Sequence, residues 1–142
     1  MIHEVAAAVS LVILESSYAG EVEENLAYAR RCALDCALRG EASQASHLYY
    51  TQFLDDTVPG QRELGIRLGL AWTRVADYSV FYTDRGWSTG MLRALDTSWF
   101  RRKQIYVRAL DKPVIMPTIY NQDQWEWVLL HLDHSRAPEV RI

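Results

Sequence analysis

Hydrophobic positions along this chain alternate between unbroken runs and stripes spaced three or four residues apart, and that switching sets the elements it predicts. Residues Val5 to Leu14 are almost continuously apolar, as expected of a strand covered by helices on both faces. From Glu21 to Arg39, the residues Val22, Leu26, Ala29, Ala33 and Cys36 recur at helical spacing. Glu21, Glu23 and Glu24 lie in the first turn, Arg39 in the last, and Gly40 follows as a C-terminal cap, so charge and termination agree with a helix. Ala45 to Gln52 has the aromatic and β-branched character of a second strand, or of a loop along the sheet's upper edge. Asp55, Asp56 and Thr57 then precede Pro59, a capping turn for a second helix that reaches Val75 with Leu64, Leu68, Ala71 and Val75 on one stripe. Gly65 and Gly69 in that helix cost about 1 kcal/mol each, which predicts a close neighbour there.

Asp77 to Asp84 reads as a third strand and Arg85 to Gly90 as the turn after it. Met91, Leu92, Leu95 and Trp99 mark a third helix ending at the basic cluster 101–103, and Gln104 to Leu110 a fourth strand. A last helix, about 123–133, holds Trp125, Val128, Leu129 and Leu132 on one face and Trp127 and Leu130 off it. Two apolar sides imply two surfaces, so this helix is expected to contribute to a subunit contact. Strands alternating with helices give an α/β domain with a doubly wound, mostly parallel sheet of four to five strands. Ligands in that architecture bind beyond the carboxyl ends of the strands, which points to loops 16–20, 52–56 and 84–90.

Composition narrows the partners. A chain of 142 residues, 49% hydrophobic and 23% charged, suits one core. A net charge of −3 offers no basic field for a nucleic-acid polymer. The first apolar run follows His3 and Glu4 rather than Lys or Arg, and falls short of the ~20 residues that span a bilayer. A cytoplasmic protein without a membrane partner is expected. Cys32 and Cys36 lack Cys-x-x-Cys spacing and are read as free thiols. His131 and His134 have no evident third ligand, so neither metal nor cofactor is expected.

Two loops carry candidate chemistry. Ser16, Ser17, Tyr18 and Gly20 sit between a buried strand and a helix N-terminus, where free amides favour an anion or a hydroxyl-rich sugar; equally, the serines only cap the turn. The three glutamates that follow would repel phosphate, which favours sugar or base at this loop. Asp84, Gly86, Trp87, Ser88, Thr89 and Gly90 combine a strand-end carboxylate, close backbone approach and hydroxyls opening a helix, as a monophosphate site requires. The plainer alternative is a Ser cap beside a solvated Asp. Trp87 either stacks on a base or covers the core edge. Asp55, Asp56 and Glu63 are general acid or base candidates, or caps and solvated charges. His47 either joins the site or is a hydrogen-bonded structural group.

The segments 15–20, 46–52, 54–56, 63–66, 69–72, 82–84 and 86–91 resemble an uncharacterised family common in bacterial and phage genomes, over about Val9 to Val107. That family is similar in turn to the nucleoside 2-deoxyribosyltransferases and nucleotide N-glycosidases. The resemblance implies a small Rossmann-like domain, usually a dimer or larger, acting on the bond between base and deoxyribose of a nucleoside or nucleoside 5′-monophosphate. It matches Tyr18 to the first-loop Tyr and Asp84 to the strand-end Asp of that superfamily. The nucleophilic glutamate of the following helix is absent, because Gly90, Met91 and Leu92 stand where it should fall. Either Asp84 or Glu63 replaces it, or the protein binds a nucleotide without turning it over.

Overall fold

A computed structural model of the chain describes residues 9–117 and 139–141. Its elements run β1 (Ser10–Glu15), α1 (Val22–Leu38), β2 (Glu41–Gln44) and a single-turn α2 (Ser46–Tyr49), which continues as a 3-10 turn over Tyr50–Gln52. They continue with α3 (Gln61–Ala71), β3 (Tyr78–Tyr82), α4 (Thr89–Phe100), β4 (Gln104–Arg108) and β5 (Glu139–Arg141). The sheet order is β2-β1-β3-β4-β5. Strands β1 to β4 pair in parallel, and β5 closes one edge antiparallel to β4. This is the expected mostly parallel α/β sheet.

Successive strand residues point to opposite faces, and the core divides accordingly. Val12, Leu14, Val80 and Tyr82 pack with Tyr28, Cys32 and Cys36 of α1. Phe81, Ile105 and Val107 pack with Met91, Ala94 and Leu95 of α4. Each fully buried apolar side chain contributes roughly 1.5–3 kcal/mol. The two cysteines are free and buried, packed as small apolar groups.

The expectation of a strand over Ala45 to Gln52 is corrected. The strand is Glu41–Gln44, paired with Ser10 to Ile13, and the segment after it is helical. The aromatics that suggested a strand stack edge-to-face along this helical surface, with Tyr49 and Tyr50 centroids 5.0 Å apart. β2 itself is polar because it is an edge strand held by charge. Arg108, 3% exposed, donates to both oxygens of Glu41 at 2.6 and 2.9 Å. It also donates to Glu139 of β5 at 2.5 Å, so one guanidinium ties both sheet edges together.

Helix α3 starts at Gln61 rather than Pro59, after Gly60 at φ +85°. Its Gly69 has the close neighbour its sequence predicted, since a Cβ there would lie 2.6 Å from Ser46 Cβ. Helix α4 starts at Thr89, and the Ser88 hydroxyl accepts the Met91 amide at 3.2 Å as an N-cap. Among the described residues no helix is long and apolar enough to cross a membrane. The expected helix at 123–133, with its two apolar faces, and His131 and His134 lie outside the described residues.

Candidate functional site

The carboxyl ends of β1 and β3 open into a cleft of about 380 Å³, within the range of roughly 300–1,000 Å³ usual for small-molecule sites. Glu15 and Ser16, at the end of β1, form its base. Ser46, His47 and Tyr50 supply one wall, Gly65 and Ile66 of α3 another, and Trp87 to Met91 the third. The tight passage of α3 over Ser46, which only glycine at 69 permits, sets the width between two of these walls.

Glu15 dominates the electrostatics. It is 8% exposed, and its carboxyl makes no hydrogen bond or ion pair among the described residues. No sealed side-chain oxygen or nitrogen among those residues lacks a partner, so the unpaired Glu15 oxygens face the cleft. Burial pushes its carboxyl pKa from 4.5 up to about 8, because charging it there forfeits hydration with no cation to compensate. Beside it, His47 Nε2 lies 2.7 Å from Ser16 Oγ. Burial lowers the imidazole pKa to about 4, so it is neutral at pH 7 and fixes the orientation of the Ser16 hydroxyl.

Tyr18 stands on the rim, half-buried between this cleft and a shallower outer depression. Desolvation and then Asp56 raise its phenol pKa. Ser88, Thr89 and Gly90 present the N-terminus of α4 to the cleft, where free amides and the helix dipole favour an anion. Trp87 covers the core edge, the second of its two expected roles: it stacks on Phe81 at 5.3 Å and donates its indole N–H to the Ile115 carbonyl at 2.7 Å, and it also lines the cleft.

Other expected site residues fall elsewhere. Asp84 does not line the cleft. Its Oδ2 accepts the Tyr28 hydroxyl at 2.5 Å and the Leu110 amide at 2.8 Å, and its Oδ1 accepts the amides of Asp111 and Lys112 at 2.7 and 2.9 Å. These bonds hold the pKa below the ordinary carboxylate value despite burial and occupy both oxygens. A reacting role for Asp84 does not fit that geometry; the group instead pins the chain that follows β4. Glu63 lies in a separate groove between α3 and α4, paired with Arg93 at 2.5 Å, so it faces away from the cleft. Asp55 is exposed and accepts the Thr57 amide and hydroxyl in its own turn. Ser17 donates to the Gly86 carbonyl at 3.3 Å, bracing the first loop against the third. Gly20 and Gly86 have φ of +96° and +81° and shape those loops without lining the cleft.

Sequence reasoning missed Glu15, Arg62 and Tyr50 as lining residues. The signal for Glu15 was present, since it is the carboxylate that ends an apolar run at a strand terminus. Arg62 brings a cation to the rim, 4.0 Å from Asp56. Among the described residues no cluster of His, Cys, Asp and Glu is arranged to hold a metal ion.

The fold and cleft define a doubly wound α/β domain with a small-molecule pocket at its carboxyl edge. Within that class, residues 10–109 match the model of the Domain of unknown function DUF7768, and the chain belongs to that family. Its fold is similar to that of the 2-deoxyribosyltransferase from the psychrotolerant bacterium Bacillus psychrosaccharolyticus. The TM-score is 0.60 at 16% identity, over 75% of this chain and 77% of that one. No curated protein is similar to it in sequence.

Proposed function

We propose that the cleft takes a nucleoside 5′-monophosphate, ribo- or deoxyribo-, and that the protein acts on its N-glycosidic bond, as a hydrolase or a deoxyribosyltransferase. One observation carries this reading: a single cleft of about 380 Å³ joins an unpaired buried carboxyl, Glu15, to a helix N-terminus bearing Ser88 and Thr89. The helix end and Arg62 suit the phosphate. Ser16, Tyr18 and His47 offer hydroxyl and imidazole groups to the sugar, and Trp87 a ring face to the base. The similarity in fold to a 2-deoxyribosyltransferase supports the same substrate class. Assembly into a dimer or larger oligomer belongs to the proposal, and sedimentation at micromolar concentration tests it.

The test is incubation with each common deoxynucleoside and ribonucleoside 5′-monophosphate, followed by chromatography for free base. Release of base by the wild type, with Arg62→Ala weakening monophosphates but not nucleosides by roughly tenfold or more, is the expected result. Intact substrates throughout refute the reaction.

A second reading, a nucleotide-binding protein without turnover, is favoured by Gly90, Met91 and Leu92 in place of a nucleophilic glutamate and by the full occupation of Asp84. Calorimetry showing micromolar binding without product would support it.

A further inference from the structure

Resting on the N-glycosidic reading above, we infer that Glu15 is the proton donor to the departing base, and that it is not the nucleophile that α4 lacks. Position carries this assignment. Glu15 is the last residue of β1, an interior strand of the sheet, and pairs in register with Phe81 of β3. It is 8% exposed, its carboxyl has no partner among the described residues, and its oxygens face the cleft.

The groups around it leave the role to Glu15. His47, on α2, is bonded to Ser16. Tyr18 in the first loop and Tyr50 in the turn after α2 bring hydroxyls to the same space. Asp56, before α3, and Arg62, on α3, are exposed at the rim, 4.0 Å apart. The start of α4 adds hydroxyls and no charge. Among the described residues no cation pairs with Glu15, and burial keeps it as the acid at neutral pH. A nucleophile must be ionised beforehand; a proton donor must not be.

The chemistry balances with water as the second reactant. As the bond from C1′ to the base nitrogen breaks, its electron pair moves onto the base, and a ring nitrogen of the base takes the Glu15 proton. Water then bonds through oxygen to C1′ and returns one proton to the Glu15 carboxylate. One water is consumed, neutral base and sugar phosphate are formed, and Glu15 is regenerated as the acid.

The experiment measures base release by wild type and Glu15→Gln from about pH 5.5 to 9.5, using monophosphates of the ordinary bases and of 7-methylguanine, whose ring is already cationic. For ordinary bases, kcat of the wild type should be level at low pH and fall above about 8. Glu15→Gln should lower kcat by roughly 10²–10⁴-fold with KM changed by less than about threefold. The 7-methylguanine nucleotide needs no proton, so the variant should release that base at close to the wild-type rate, which a merely structural role for Glu15 would not produce.

Equal kcat for the two proteins on ordinary bases, or equal loss on both kinds of base, overturns the role of Glu15 while the wild-type activity keeps the N-glycosidic reading. No base release by the wild type overturns that reading and this role together. Should Glu15→Gln fail to fold, the wild-type pH profile decides, and a level profile to the alkaline end overturns the inference.

Discussion

Replacing Glu15 with Gln should raise stability, and increasingly so as pH rises. In the unfolded chain this carboxyl titrates near 4.5, and in the fold near 8. Between those values the native state holds a proton that the unfolded state has lost, so each increment of pH favours unfolding. The group's contribution is complete below about 4.5 and is lost as pH climbs through about 8. At roughly 1.4 kcal/mol per pH unit, the whole interval is worth roughly 5 kcal/mol, an upper limit because an open cleft hydrates the ion in part. Gln has nearly the same shape and is neutral throughout. The two proteins should therefore agree within about 1 kcal/mol at pH 5, and the variant should lead by several kcal/mol at pH 8.5. That lead is a large share of the roughly 5–15 kcal/mol that holds a domain folded. Urea unfolding followed by tryptophan fluorescence at pH 5, 7 and 8.5 measures it. A gap that does not change with pH, or a wild type that gains on the variant between pH 5 and 8, would refute the reasoning.

His47 has the opposite sign. Its pKa falls from 6.5 to about 4 on folding, so its contribution is complete above 6.5 and roughly 3 kcal/mol is lost as pH drops toward 4; His47→Gln should flatten that acid limb, and an unchanged limb argues against it. Gly69→Ala places a Cβ 2.6 Å from Ser46 Cβ and should cost about 1–2 kcal/mol net of alanine's helix preference. Adding Ser46→Gly should recover most of that loss in a double-mutant cycle, and simple additivity would show that the two do not touch. Asp84→Ala leaves the Tyr28 hydroxyl and three backbone amides without their acceptor, which should cost about 3–5 kcal/mol. The wild-type contribution of Asp84, whose pKa is depressed, is complete above the ordinary carboxyl range and lost as pH falls below it. An unchanged melting temperature for Asp84→Ala would contradict this account.

Local periodicity was enough to read β1, α1, β3, α4 and β4 from the chain, because each carries its own apolar stripe or run. It was also enough to place the cleft-lining loops at the strands' carboxyl edge, since the βαβ alternation fixes which ends the loops leave. β2 was not legible: Glu41–Gln44 has no apolar run, and it is a strand because Arg108, 67 residues away, holds Glu41. The choice among carboxylates was likewise hidden. Asp84, Glu63 and Glu15 look alike in sequence, each an acid near a loop or helix start, yet Asp84 is consumed by amides 26 to 28 residues downstream and Glu63 by Arg93. Glu15 alone of the three remains unpaired against the cleft. Backbone preference and amphipathic spacing act over a few residues, so a sequence displays them. Which charge is neutralised, and which is left facing the cleft, depends on groups brought together across the whole fold, and only the tertiary structure decided that.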